Sequence, residues 1–213
     1  MKTLKLTLFV FAAVLFAAAT AHATYSSVYD IYVNTSSVDG NSGYLYLQYD
    51  PTQISPAAST ATVTGFTTDG SLGAQDTTDI VNGTAVSGTS LANNNVAFKN
   101  TNGVNDFEQA INFGSYLNLI VTFTFNSGIP SSGNGSSVFS LGIFADGAGS
   151  DPLFNVNDPN VPGTVGTLAL FNNGGAIGAS DDQSTSVTPI PPTVLLFGSG
   201  LLGLVGIRRR VKI

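Results

Sequence analysis

The amino-acid sequence predicts an all-β chain: a β-sandwich, jelly-roll-like, flanked by an N-terminal signal helix and a C-terminal hydrophobic helix. Three observations predict it. No helical period of useful length occurs between Thr24 and Thr188, whereas period-two alternation and β-branched runs recur there. Clusters of Gly, Asn, Ser and Asp separate those runs. The apolar stretches without alternation are confined to the two ends of the chain.

The strands follow in order. Tyr29–Val33 is the first, and Gly43–Tyr49 the second. In the second, Leu45, Leu47 and Tyr49 share one face, with Tyr44, Tyr46 and Gln48 on the other. The turn-rich segment Val38–Gly43 between them predicts a hairpin. Further strands are expected at Thr60–Phe66, Val96–Phe98, Phe107–Phe113, Tyr116–Phe125, Ser137–Phe144 and Thr164–Phe171. The clearest is Asn118–Phe125, whose Leu119, Val121, Phe123 and Phe125 fall on one face. Asp69–Ala92 has few apolar anchors and reads as a long loop or an edge region. Eight or so strands at this spacing fit a sandwich. A solenoid is the alternative, but no fixed repeat of 20 to 50 residues is present.

The ends read as processing segments. Lys2 and Lys5 precede the run Leu6–Ala19, which only Thr7 interrupts, and Ala21-His22-Ala23 is a small-x-small site for signal peptidase. Residues 1–23 are therefore expected to be a signal peptide, removed after Ala23. The domain then spans 24–173, a polar linker 174–188, and a tail 189–213. In the tail, Pro189-Ile190-Pro191-Pro192 is expected to block helix and sheet ahead of the apolar stretch. Val194–Ile207 carries no charge, and its only polar residue is Ser199. As a helix it reaches about 21 Å, against a hydrocarbon core of about 30 Å. Its glycines offer a close-packing face. Arg208, Arg209 and Arg210 after it should stay cytoplasmic, with the domain on the other side of the inner membrane.

This tail resembles a PEP-CTERM sorting signal: a proline motif, a glycine-containing apolar helix and an arginine cluster. Ile190 stands where the family's motif has glutamate, as in variants with an apolar residue between the prolines. The resemblance implies recognition and cleavage near the prolines by an exosortase, in Gram-negative bacteria that make exopolysaccharide and biofilm. It further implies a precursor held transiently in the membrane, with a mature form at the cell surface or extracellular. The opening of the domain, with Tyr32–Ser37, Gly43–Leu45 and Ala61–Gly73, is similar to a recurrent uncharacterised PEP-CTERM type, to which no activity attaches.

Charge narrows the function. All 13 acidic residues lie between Thr24 and Thr188, where Lys99 is the only base, a formal charge of −12. Such a domain repels nucleic acid. The chain has no cysteine and no tryptophan, and its one histidine, His22, lies in the signal cleavage site. Disulfides and thiolate chemistry are excluded, and the usual general base is missing from the mature domain. The chain is therefore read as no enzyme, with no catalytic residue and no cofactor. Calcium is the one cation its chemistry suits, with Asp146, Asp151 and Asp158 as candidate ligands in Gly- and Asn-rich loops. Those are also ordinary turn residues. Tyr25, Tyr29, Tyr32, Tyr44, Tyr46 and Tyr49 crowd the first two strands. An exposed, coplanar set of them would bind polysaccharide, whereas cross-strand packing would bury them. The expected function is a structural or interaction protein of the cell surface or extracellular matrix, with a carbohydrate-binding module and a calcium-stabilised adhesin as alternatives.

Overall fold

In a computed structural model of the protein, the described residues are 26–52, 57–76, 86–100, 105–125, 136–154, 163–171, 176–180 and 184–191. The strands are β1 (Ser26–Asn34), β2 (Ser42–Pro51), β3 (Ser59–Thr68), β4 (Ser71–Asp76), β5 (Val86–Ser87), β6 (Val96–Lys99), β7 (Asp106–Asn112), β8 (Tyr116–Phe125), β9 (Ser136–Phe144), β10 (Thr164–Phe171), β11 (Ala176–Ser180) and β12 (Thr185–Ile190). They form two six-stranded antiparallel sheets. The first runs β12-β1-β8-β3-β6-β5, and the second β11-β10-β9-β2-β7-β4. The expected signal segment 1–23, Tyr25, Asp158, Pro192 and the tail with Arg208, Arg209 and Arg210 lie outside the described residues. Among the described residues no helix is long and apolar enough to cross a membrane.

The core is what the alternation dictates. Strand β8 buries Leu117, Leu119, Val121, Phe123 and Phe125, and turns Asn118, Ile120, Thr122 and Thr124 outward. Strand β2 buries Leu45, Leu47 and Tyr49. Rings join the two sheets across the middle. Tyr49 of β2 meets Phe123 of β8 at 5.6 Å, and Phe98 of β6 meets Phe139 of β9 edge-on at 6.0 Å.

Tyr49 is also a polar pin. Its fully buried phenol shares a 2.6 Å hydrogen bond with the hydroxyl of Ser59 on the opposite sheet. Asn100 extends the network. It accepts the Ser59 amide at 2.9 Å and donates to Ala57 O at 2.7 Å and to Ser137 Oγ at 2.9 Å. Burial pushes the Tyr49 phenol up to about 12, partly offset by hydrogen bonds with Ser59 and Ser137. The fold thus favours the neutral phenol. Its contribution is fully present below the unfolded value of about 10 and is lost as pH rises from there through about 12. Two pKa units correspond to about 3 kcal/mol. One tyrosine should therefore lag in a tyrosinate absorbance titration and ionise together with alkaline unfolding. Tyr49→Phe should abolish that coupled step, and a Tyr49→Phe chain that still shows it would contradict the assignment.

Three expectations need correction. First, β1 and β2 do not form a hairpin, because they belong to different sheets. The turn-rich segment crosses between sheets through a 3-10 turn, Ser36–Val38, which buries Val38. Thr35 anchors it by donating its hydroxyl to Gly114 O at 2.7 Å. Second, the expected linker 174–188 contains strands. β11 pairs with β10, and β12 pairs with β1 over Val28↔Ile190 to Val33↔Thr185. Third, Pro189 does not block the sheet. It pairs with Tyr29 within β12, an edge strand, and an edge strand tolerates a residue without an N–H.

Candidate functional site

The site is built on the outward face of the second sheet. Period-two alternation turns Tyr44, Tyr46 and Gln48 of β2 away from the core. The register sets Phe144 of β9 beside Tyr44, Gly142 beside Tyr46 and Ser140 beside Gln48. Phe144 is buried yet stands apart from the inter-sheet core. Its ring packs edge-on against Tyr46 at 5.7 Å.

The loop 145–151 folds back over this face. It closes through Ala145 N to Asp151 O at 2.7 Å, and Leu153 N to Ile143 O at 3.1 Å. Asp146 holds it from within. One carboxylate oxygen accepts the amides of Ser150 at 2.9 Å and Asp151 at 3.1 Å, and the other accepts the Ser150 hydroxyl. The Ser150 hydroxyl and the Asp151 amide keep the Asp146 carboxyl below the usual carboxylate range. Asp146 therefore favours the fold above its unfolded pKa, and this contribution fades as pH falls through the folded value. The loop tip needs glycine at 149. Its φ is +65°, and a Cβ there would come within 3.2 Å of the Tyr46 ring.

Two clefts flank the loop. One, of about 330 Å³, is lined by Tyr46, Gln48, Ser140, Phe144, Gly149 and Thr164 among others. The second, of about 400 Å³, is lined by Ser42, Tyr44, Ala110, Asn112 and Ala145 among others. Among the described residues no charged side chain lines either cleft.

Acidic side chains occupy the other half of this face. The register aligns Tyr46, Glu108 and Asp76 in one row, and Gln48 with Asp106 in the next. Glu108 and Asp106 are buried. Asp50 is raised above the usual carboxylate range, first by burial and then by the nearby charge of Asp106, against a 2.7 Å hydrogen bond from Asn105 N.

The structure separates the residues expected to act together. Tyr29 and Tyr49 are core residues. Tyr32 is exposed on the outward face of the first sheet, stacked on Tyr116 at 6.2 Å and 12°. Tyr44 and Tyr46 lie on the opposite side of the sandwich, so the described tyrosines make no single platform. Of the calcium candidates, Asp146 is engaged within its own loop, while Asp151 offers its main-chain carbonyl to Ala145. Among the described residues no group of three or more His, Cys, Asp or Glu is placed to hold a metal ion. Of the sorting motif, Pro189 and Ile190 end β12, and Pro191 follows it.

Phe144 and Gly149 were not among the residues singled out from the sequence. They reach the site through long-range packing, and the only local signal was the Gly-rich turn after a strand. No protein-family model matches the chain, and comparison with curated proteins and with solved structures finds no match.

Proposed function

We propose that this chain is an exported, non-enzymatic β-sandwich of jelly-roll type, displayed at the cell surface or in the extracellular matrix as a structural or interaction protein. Signal peptidase removes residues 1–23, and an exosortase-type enzyme acts near Pro189–Pro192. The pairing of β1 with β8, β2 with β7 and β3 with β6 supports the jelly-roll reading, since each pair nests inside the last. β9, β10, β11 and β12 extend that frame at its sides.

One observation carries the reading. β1 and β12 are antiparallel neighbours, so the chain enters and leaves the sandwich at the same end. Their paired Cα atoms are about 5 Å apart. Ala23 lies five residues before Val28, and Pro192 two residues after Ile190. At no more than about 3.6 Å per residue, both processing motifs stay within roughly 30 Å of each other. Both apolar segments then face one membrane, and the opposite end of the sandwich, with the loop 145–151, points away from it. This arrangement suits a domain exported from its N-terminal end, held at the membrane by its C-terminal tail and later released.

An antibody raised against the folded domain should label intact cells of the native host, or the matrix shed from them. Labelling only after the inner membrane is opened would contradict display.

A further inference from the structure

We infer that the two clefts beside Tyr44 and Tyr46 form one binding site for adjacent units of a neutral oligosaccharide. The inference stands on the cleft chemistry and does not require the display reading.

The lining selects the ligand class. Tyr46, Gln48, Ser140 and Thr164 line one cleft, and Ser42, Tyr44 and Asn112 take part in the other. These are uncharged hydroxyls, amides and aromatic faces. Each cavity falls within the range of about 300–1,000 Å³ typical of small-molecule sites. Among the described lining residues there is no Lys or Arg to partner phosphate or carboxylate. A purely apolar ligand would strip water from the Gln48, Ser140 and Thr164 polar groups without replacing their hydrogen bonds. A polyhydroxylated, uncharged ligand meets both demands. Its hydroxyls bond to the side chains, and its C–H faces lie on tyrosine.

The two clefts share one strand and one loop. Tyr44 and Tyr46 are two residues apart on β2, about 7 Å along the strand, and each borders one cleft. The loop that carries Ala145, Ala148 and Gly149 contributes to both. Its closure by Asp146 fixes both clefts before a ligand arrives. Such preorganisation lowers the cost of binding.

The test is titration of the full-length chain, in a zwitterionic sugar-free detergent, with maltotetraose, cellotetraose, laminaritetraose, chitotetraose and mannotetraose. The readout is tyrosine fluorescence, since the chain has no tryptophan. At least one tetrasaccharide should saturate at millimolar concentration. Tyr46→Ala and Gln48→Ala should each weaken it tenfold or more, while Tyr32→Ala, on the opposite face, should bind as the unmodified chain does. Gln48→Ala decides the matter if Tyr46→Ala fails to fold. The inference is overturned if no tetrasaccharide saturates, if Gln48→Ala binds normally, if Tyr32→Ala removes the signal, or if anionic alginate binds more tightly than every neutral sugar.

Discussion

Replacing Phe123 with alanine should cost about 3–5 kcal/mol, the usual range for emptying a buried aromatic site. Phe123 is 1 % exposed and sits where the sheets meet. Its ring contacts Tyr49 from the opposite sheet at 5.6 Å and Tyr29 of its own sheet at 6.3 Å. The loss combines transferred surface, a cavity between two sheets and two forfeited ring contacts, and these terms are not additive. Neither sheet can collapse into the gap without shifting the register of β8 against both β1 and β3. In a thermal scan the midpoint should fall by on the order of 10 °C. A decrease of only a degree or two would mean that the inter-sheet core lies elsewhere. Phe123→Leu, which keeps most of the volume, should recover more than half of the loss.

Ending the chain before β12 should also destabilise it strongly, whereas ending it after Pro191 should not. β12 pairs with six residues of β1 and turns only Thr185 and Val187 toward the interior. Partial burial of Val187 contributes about 1 kcal/mol, and the ladder hydrogen bonds about 0.5–1.5 kcal/mol each. Together these reach about 3–5 kcal/mol, a large share of the 5–15 kcal/mol typical of a domain. Removal also exposes β1 as a new edge and a template for aggregation. A chain stopped at Ser184 should melt well below one stopped at Pro191, and should aggregate on standing. Equal melting temperatures would show that β12 is dispensable and that the processing point is not constrained by the fold.

The strands that sequence alternation predicts are the eight that lie inside the sheets: β1, β8, β3 and β6 in one, β10, β9, β2 and β7 in the other. The four it does not name as strands are the four edges. The reason is burial. An interior strand such as β8 places five residues in the core and writes a long period-two pattern. β5 has two residues, β4 anchors itself mainly by Leu72, and β12 by Val187. Edges so lightly buried resemble loops, although Asp69–Ala92 was legible as an edge region. Residues 174–188 looked like a linker for the same cause.

Connectivity was less legible than the strands. A turn cluster between two alternating runs has the same composition whether the chain reverses within a sheet or crosses to the other. What separates the cases is long-range, namely the burial of Val38 and the bond from Thr35 to Gly114. The same limit applied to the site. Alternation set Tyr44, Tyr46 and Gln48 on one face of β2, opposite Leu45, Leu47 and Tyr49, but which face points outward, and the return of the loop 145–151 over it, depend on tertiary contacts. Buried polar groups were the least legible. Ser59, Asn100 and Gln109 read as ordinary polar residues. In the fold Gln109 is buried, accepts Leu91 N at 2.9 Å and donates to Gly73 O at 3.0 Å, fastening the edge region to β7.

The sandwich also constrains where the proposed cut in the tail can fall. Pro189 and Ile190 belong to the sheet, and the chain leaves it at Pro191. A released domain that keeps its first sheet intact must be cut beyond Ile190. The direct measurement is the intact mass of the protein recovered from its native host, with and without the proposed exosortase-type protease. The account predicts a chain beginning near Thr24 and ending shortly after Ile190 in the wild-type host, with an uncut C-terminus when the protease is absent. A wild-type C-terminus still at Ile213, or one lying before Thr185, would contradict it.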